Sequence, residues 1–386
     1  MNKTFFLLIF IIFIMSKNVS FSQKTKITNV EWTKAAQLQN ADGSISLGFA
    51  GPITGVTNNV LIVAGGANFP DKMPWEGGKK HYSNEIHVLE KKGDDFQWNK
   101  KVIHTLPEPI AYPGNTTTNL GVVYVGGENE NGLSNKAYIL NWNTDKNEIE
   151  TKSLPDFPLA ITNIGLTHLG NIVYAIGGDE AKQSSDLVFS INLNAEKPEW
   201  NSLTKLPFAL ANSVAVIQNE KMYVIGGRTK TASGISDLHN TTLAFDLQKQ
   251  TWETKANICD GRQTTNFSAG AGVPVGNDYV LILGGDNGTT FHKIETYLSQ
   301  IAKANSEEER SKLIAEKNTL NTTHQGFYND ILLYNTHTNK WSKIGELPFL
   351  AQVTTTATIW NDKVVLSNGE IKPGIRTPDV MLGTIK

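Results

Sequence analysis

Glu370 and Arg376 flank a Pro-Gly pair in the segment Glu370-Ile371-Lys372-Pro373-Gly374-Ile375-Arg376. A Pro-Gly pair favours a tight turn, which would fold the acid and the arginine towards one pocket. A glutamate held near an arginine can act as a general base while the guanidinium grips a substrate carboxylate through two parallel hydrogen bonds. On spacing alone, a surface salt bridge accounts for the pair equally well. Glu370 also belongs to a set: the residues that directly follow recurrent glycine-ended runs are Ala67, Glu128, Asp179, Arg228, Asp286 and Glu370. A purely structural turn would need only small polar residues at those places. Acids there can also simply bond turn amides, the simpler account of Asp179 and Asp286.

The elements that must position these residues are repeats. The apolar runs Val60–Ala64, 122–125, Ile172–Ile176, Lys221–Ile225 and Tyr279–Leu283 each end in Gly-Gly, and Lys363–Ser367 ends in Asn368-Gly369. Downstream of the first five lies a further apolar run and a tryptophan: 84–89 with Trp98, 136–140 with Trp142, 187–191 with Trp200, 242–245 with Trp252 and 331–334 with Trp341. This resembles the kelch repeat, in which four antiparallel strands make one propeller blade. The glycines would let the second strand end where a side chain would clash, and the tryptophan would fill the space between blades. The sixth copy lacks a tryptophan of its own, and Trp32, near the N-terminus, supplies it. The expected fold is therefore all-β: a six-bladed kelch-type β-propeller over residues 23–386, closed by the N-terminal strand near Trp32. Between Gly285 and Trp341 the apolar period turns helical, through Ile294, Tyr297, Leu298 and Ile301, and then a Ser306-to-Glu309 capping box before Leu313, Ile314 and Leu320. This predicts a helical insert at about 289–325 in the fifth blade, either a solvated decoration or a lid over one mouth.

The remaining candidates follow from the repeat. Lys79, Lys80, His81 and Tyr82 lie on the loop after the first glycine pair, where they would reach a ligand or form a solvated tip. Arg262 follows Cys259-Asp260-Gly261 and is read as opening the first strand of its blade, near the rim. Cys259 is the one cysteine, so no intramolecular disulfide exists, and no histidine beside it suggests a nucleophile. No His-Glu-x-x-His or paired Cys-x-x-Cys spacing predicts a metal site. Thirty-five Lys and Arg against 37 Asp and Glu argue against a nucleic-acid partner. Residues 1–22 carry Lys3, an apolar run over 5–15 and Ser20-Phe21-Ser22, the pattern of a signal peptide cleaved before Gln23. That run is shorter than the roughly 20 residues a membrane span needs, so an exported, periplasmic protein without a span in its mature form is expected.

The segment from Asn368 to Thr377 resembles the signature of the bacterial N-acetylneuraminate epimerases, the sialic acid mutarotases. So do Asp42-Gly43 with Gly48-Phe49-Ala50-Gly51, and Gly65-Gly66-Ala67-Asn68-Phe69 leading to Glu76-Gly77-Gly78-Lys79-Lys80-His81-Tyr82-Ser83. The resemblance covers essentially the whole mature chain. The order of the motifs is reversed relative to the better-known members, which makes the chain similar to a cyclically permuted branch. A closed ring tolerates such a cut because its termini are adjacent. The resemblance implies interconversion of the α- and β-anomers of N-acetylneuraminate through the open-chain ketone, without a cofactor. Glu370 would be the base and Arg376 the carboxylate holder. Lys79, Lys80, Tyr82, Glu128, Arg228, Arg262 and Lys372 are the expected substrate contacts, with Lys372, Tyr82 and Arg262 as candidates to protonate the ring oxygen. The alternatives are a non-catalytic propeller that binds glycans or protein, and another sugar-active enzyme on the same scaffold. The oligomeric state is not legible.

Overall fold

Each glycine-ended run forms the second strand of a four-stranded antiparallel sheet. Six such sheets surround one axis as the blades of a β-propeller in the computed structural model, which describes residues 27–102 and 104–386. Residues 1–22, read as an export signal, lie outside the described residues. The first blade runs Ile53–Thr57, Val60–Ala64, Ile86–Lys92 and Asp95–Trp98 from axis to rim. The next four repeat this order, with innermost strands Gly114–Thr118, Gly165–Leu169, Val214–Gln218 and Ala271–Val275. The fifth blade's first strand therefore begins at Ala271, not at Arg262. The sixth blade takes Thr358–Trp360, Lys363–Ser367 and Asp379–Ile385 from the C-terminal end and its outer strand, Val30–Gln37, from the N-terminal end. Val30 pairs with Ile385 and Gln37 with Asp379, with a bulge between Lys34 and Ala36.

The second strands are apolar without alternation because both faces are covered by neighbouring blades; Val60–Ala64 and Gly121–Val125 are buried at every position. The core is accordingly divided into six apolar clusters, one for each interface between adjacent blades. A tryptophan from the later blade of each pair reaches to the preceding one, and the seam between the sixth and first blades also holds Trp360, which comes from the sixth blade and donates to Asn59 Oδ1 at 3.0 Å. Trp142 and Trp341 are buried members of their clusters, and Trp32, Trp98, Trp200 and Trp252 pack against theirs. The indole Nε1 of Trp98 donates across the interface to Gln37 O at 2.8 Å, and that of Trp200 to Pro155 O at 3.0 Å. These two bury the ring while the one N–H finds a carbonyl, whereas the buried Nε1 of Trp32 and of Trp252 has no hydrogen-bond partner among the described residues.

The axis is closed by backbone. Gly51, Tyr112, Asn163, Asn212, Ala269 and Thr354 each contribute one peptide per blade. The N–H of each donates to the carbonyl of its counterpart in the preceding blade, from Tyr112 N to Gly51 O at 2.8 Å round to Gly51 N to Thr354 O at 2.7 Å. All six have φ between 52° and 62°. Glycine and asparagine enter this left-handed region readily, whereas tyrosine, alanine and threonine adopt it at roughly 1–2 kcal/mol each.

Two helices interrupt the fifth blade between its second and third strands: α1 (Phe291–Lys303) and α2 (Glu307–Thr322). Ser306 caps α2, its hydroxyl accepting from Glu309 N at 3.1 Å. Helix α1 is tied to the fourth blade, because the Glu295 carboxylate accepts from Ser236 N at 2.7 Å and from Ser236 Oγ at 2.9 Å. No helix among the described residues is long and apolar enough to cross a membrane.

The glycine pairs differ in how tightly they are held. A Cβ on Gly177, at φ +59°, would lie 2.1 Å from Leu210 O of the next blade, whereas one on Gly284, at φ +65°, would meet nothing closer than 3.3 Å. Gly177→Ala should therefore lose more stability in denaturant unfolding than Gly284→Ala, whose neighbours need give only a few tenths of an ångström beside the backbone cost of about 1–2 kcal/mol. Equal losses would refute the close approach.

Candidate functional site

The six positions after the glycine-ended runs are built alike. Each forms an isolated antiparallel bridge with the residue just before a member of the axial ring: Ala67 with Ala50, Glu128 with Ala111, Asp179 with Thr162, Arg228 with Ala211, Asp286 with Ser268 and Glu370 with Val353. Both backbone hydrogen bonds of each bridge are made, at 2.7–3.0 Å. Six side chains are thereby fixed around one mouth, one bond pair away from the ring.

Glu370 and Arg376 face each other directly across the hairpin of Glu370–Lys372 and Ile375–Arg376, whose Pro373-Gly374 turn abuts Pro74 and Trp75. Gly374 N donates to Glu370 Oε1 at 2.7 Å, leaving the second carboxylate oxygen outside this bond. Arg376 Nη1 stands 3.6 Å from Glu370 Oε1, its Nε donates to Ala67 O at 3.3 Å, and the guanidinium lies 4.8 Å from the Phe69 ring centroid. Arg376 is only 9% exposed, yet its Nη1 finds no hydrogen-bond partner among the described residues. A buried guanidinium nitrogen left in that state suits an incoming anion.

On one side of this pair, Lys80 Nζ and Tyr82 Oη both contact Glu128 Oε1, at 3.0 and 2.9 Å. Burial opposes the charge on Lys80, but Tyr112, Glu128 and Tyr82 outweigh it and hold the ammonium well above the ordinary lysine range. Burial and the Glu128 carboxylate push the Tyr82 phenol up to about 12, against the pull of Lys80. On the other side lies a cavity of about 240 Å³ that Arg228, Asp286 and Glu370 line together with Phe291 and Ile294 of α1 and His324 beyond α2. The insert therefore walls the mouth. Burial raises the Asp286 carboxyl, as do the charges of Glu370 and Glu295, against the donation of Gly288 N at 2.6 Å. The ring residues Asn212, Ala269 and Thr354 line this cavity and also a second one of about 110 Å³ along the axis, so the ring is the partition between them.

The other expected contacts are placed less centrally. Arg228 lines the cavity, but its Nη2 is committed to Asp179 at 2.5 Å, a buried carboxylate that also takes Asn163 Nδ2 at 3.1 Å and Ser184 Oγ at 2.9 Å. Asp179 thus bonds side chains, while Asp286 does bond a turn amide. Lys372 is half-buried, and its charge helps to lower the His324 imidazole, after burial. Lys79 is exposed next to the inward Lys80. Arg262 lies in an exposed turn whose amide donates to Asp260 Oδ1 at 2.7 Å, and it lines neither cavity. Cys259 is a half-buried thiol that accepts from Gly261 N at 3.2 Å. Sequence reasoning missed Tyr112, whose phenol is raised by burial and felt by Lys80, Glu370 and Arg376. The signal available for it was a bulky residue at a repeat position held elsewhere by Asn163 and Asn212.

With this geometry in place, comparison with known proteins is informative. The family model for N-acetylneuraminate epimerase matches residues 15–149 and 154–386. Proteins named N-acetylneuraminate epimerase align from Haemophilus influenzae (27% identity over 60% of this chain and 59% of the relative), Salmonella typhi (29%, over 58% and 56%) and Pasteurella multocida (30%, over 60% and 58%). The aligned part thus spans less than two thirds of these relatives.

The raised Tyr82 value makes a checkable statement about the cluster. The stability that follows from a protonated, raised phenol is fully present below its ordinary 10 and is lost as pH rises through about 12. Between those values the wild type should lose stability faster than Tyr82→Phe in denaturant unfolding; parallel loss in both would refute the assignment.

Proposed function

Because the chain belongs to the N-acetylneuraminate epimerase family, we propose that it is a sialic acid mutarotase, an isomerase interconverting the α- and β-anomers of N-acetylneuraminate. The observation that carries the reading is the Glu370–Arg376 pair, with an oxygen acceptor and an unpartnered buried guanidinium nitrogen side by side at the mouth. In a sialic acid, the carboxylate and the anomeric hydroxyl sit on the same carbon. Arg376 binds the carboxylate, and this places the hydroxyl at Glu370.

Glu370 takes the hydroxyl proton as the carbonyl forms and the ring C–O bond breaks. Rotation in the open-chain ketone presents the other carbonyl face, and Glu370 returns the proton on closure. Gly374 N–H fixes the carboxylate's orientation throughout. Spontaneous mutarotation is already accessible, so each tenfold acceleration asks only about 1.4 kcal/mol of the site. In this reading Lys80, Tyr82, Glu128 and Lys372 contact the remainder of the sugar, and the cavity beside α1 takes its bulk; the lining of that cavity by Arg228, Asp286 and Glu370 supports it. The partial alignment with the relatives is what a permuted motif order produces in a collinear comparison. The signal-like pattern of residues 1–22 supports a periplasmic place for the reaction.

The test is a proton NMR time course of α-N-acetylneuraminic acid, generated in place by a sialidase. Wild type should hasten the appearance of the β-anomer over buffer, and Glu370→Gln should not. Equal rates in all three would leave a glycan- or protein-binding propeller as the better account.

A further inference from the structure

Ring opening needs two proton transfers, and Glu370 accounts for one. The ring oxygen leaves as an alkoxide unless an acid protonates it. The groups around the mouth are unequal to that task. Tyr82 is engaged with Glu128, Lys80 is held as a cation by the same carboxylate, Asp286 accepts from a turn amide, and Lys372 stands near His324. Tyr112 is different. It is the one aromatic in a ring otherwise made of Gly51, Asn163, Asn212, Ala269 and Thr354, and it holds φ +56° there, a conformation that bulky side chains avoid. Such strain persists where surrounding structure enforces it, and it concentrates at functional sites.

Its side chain has a prepared seat. A Cβ on Gly51 would fall 2.4 Å from Tyr112 Cδ1, so the tyrosine ring occupies the space that glycine leaves. Lys80 Nζ lies 4.9 Å from the centroid of the Tyr112 ring, and Lys80 is in turn fixed by Glu128. The residue as a whole is half-buried, and it lines the axial cavity. Glu370, Arg376 and Lys80 are the charged groups that act on its hydroxyl; Glu128 and Tyr82 act on it through Lys80.

Building on the mutarotase reading, we propose that Tyr112 is the catalytic acid that protonates the ring oxygen. The proton balance closes. The anomeric O–H gives its proton to Glu370, the C–O ring bond breaks, and the ring oxygen takes the Tyr112 proton. The phenolate that forms faces the cations Lys80 and Arg376. On closure the new hydroxyl returns its proton to Tyr112 as it attacks the carbonyl, and Glu370 protonates the carbonyl oxygen.

The experiment measures kcat and KM for α-N-acetylneuraminate with wild type and Tyr112→Phe, which keeps the ring and its packing. A kcat lower by about 100-fold or more, with KM within about twofold, is expected. A second form, with 3,5-difluorotyrosine placed at 112, keeps the hydroxyl and lowers its pKa. It should move the alkaline limb of kcat to lower pH by more than about one unit, a readout that does not depend on how Tyr112→Phe folds. Undiminished kcat in Tyr112→Phe, a change confined to KM, or an unmoved alkaline limb would each overturn the inference while wild type remains active. An inert wild type would remove the mutarotase reading and this inference with it.

Discussion

Six backbone hydrogen bonds closed into a cycle hold this molecule at its axis, and everything that can do chemistry hangs from them. Each bond joins one blade to the one before it, so no blade can shift without breaking two. Each ring member also follows directly on the residue that pairs with a mouth position, from Ala50 with Ala67 to Val353 with Glu370. The cost of six left-handed residues, only one of them glycine, is met because a cycle of amides leaves no polar group unpaired at the most enclosed point of the fold. The glycine pairs add a second tie. The second glycine of the pair donates to a carbonyl of the next blade in Gly66, Gly127, Gly178 and Gly227, and Gly369 does the same to Phe49.

Outside this ring the forces are of another kind. The blade interfaces are apolar seams in which tryptophan recurs, non-directional except where an indole finds an acceptor. Such seams tolerate variation in side-chain shape, whereas the ring and the glycine pairs fix distances to a few tenths of an ångström. The site combines the two. The ring and its bridges position Glu370, Glu128 and Asp286 by backbone, while Arg376 is oriented by the Phe69 face and a single carbonyl, which leaves one nitrogen unsatisfied.

The repeat was legible in the sequence because it rests on local signals. Glycine pairs, apolar runs and tryptophans recur in register, and Trp32 was assigned to the last blade by the absence it fills. The Glu370–Arg376 pairing was legible for the same reason, since a Pro-Gly turn acts within seven residues. The engagement of Arg228 by Asp179 was not, because the partners come from different blades and their meeting depends on ring curvature. Tyr112 was hidden more deeply. Its left-handed backbone follows from the hydrogen-bond cycle, which no stretch of sequence encodes by itself, and its seat against Gly51 joins residues from adjacent blades. Arg262 shows the converse, a basic residue with suggestive neighbours that an Asp260-centred turn keeps at the surface.

The pairing of Val30–Gln37 with Asp379–Ile385 sets a condition on the order of assembly. Synthesis makes the outer strand of the last blade first and its partner last, so that strand must wait, unpaired, for nearly the whole chain. Loop closure over such a length costs only slightly more than over a short one, because the entropy grows with the logarithm of the span. The delay is thus kinetic: the axial cycle cannot close until the last blade arrives, and until then the first blade presents an open flank with the apolar Leu61 and Val63 uncovered.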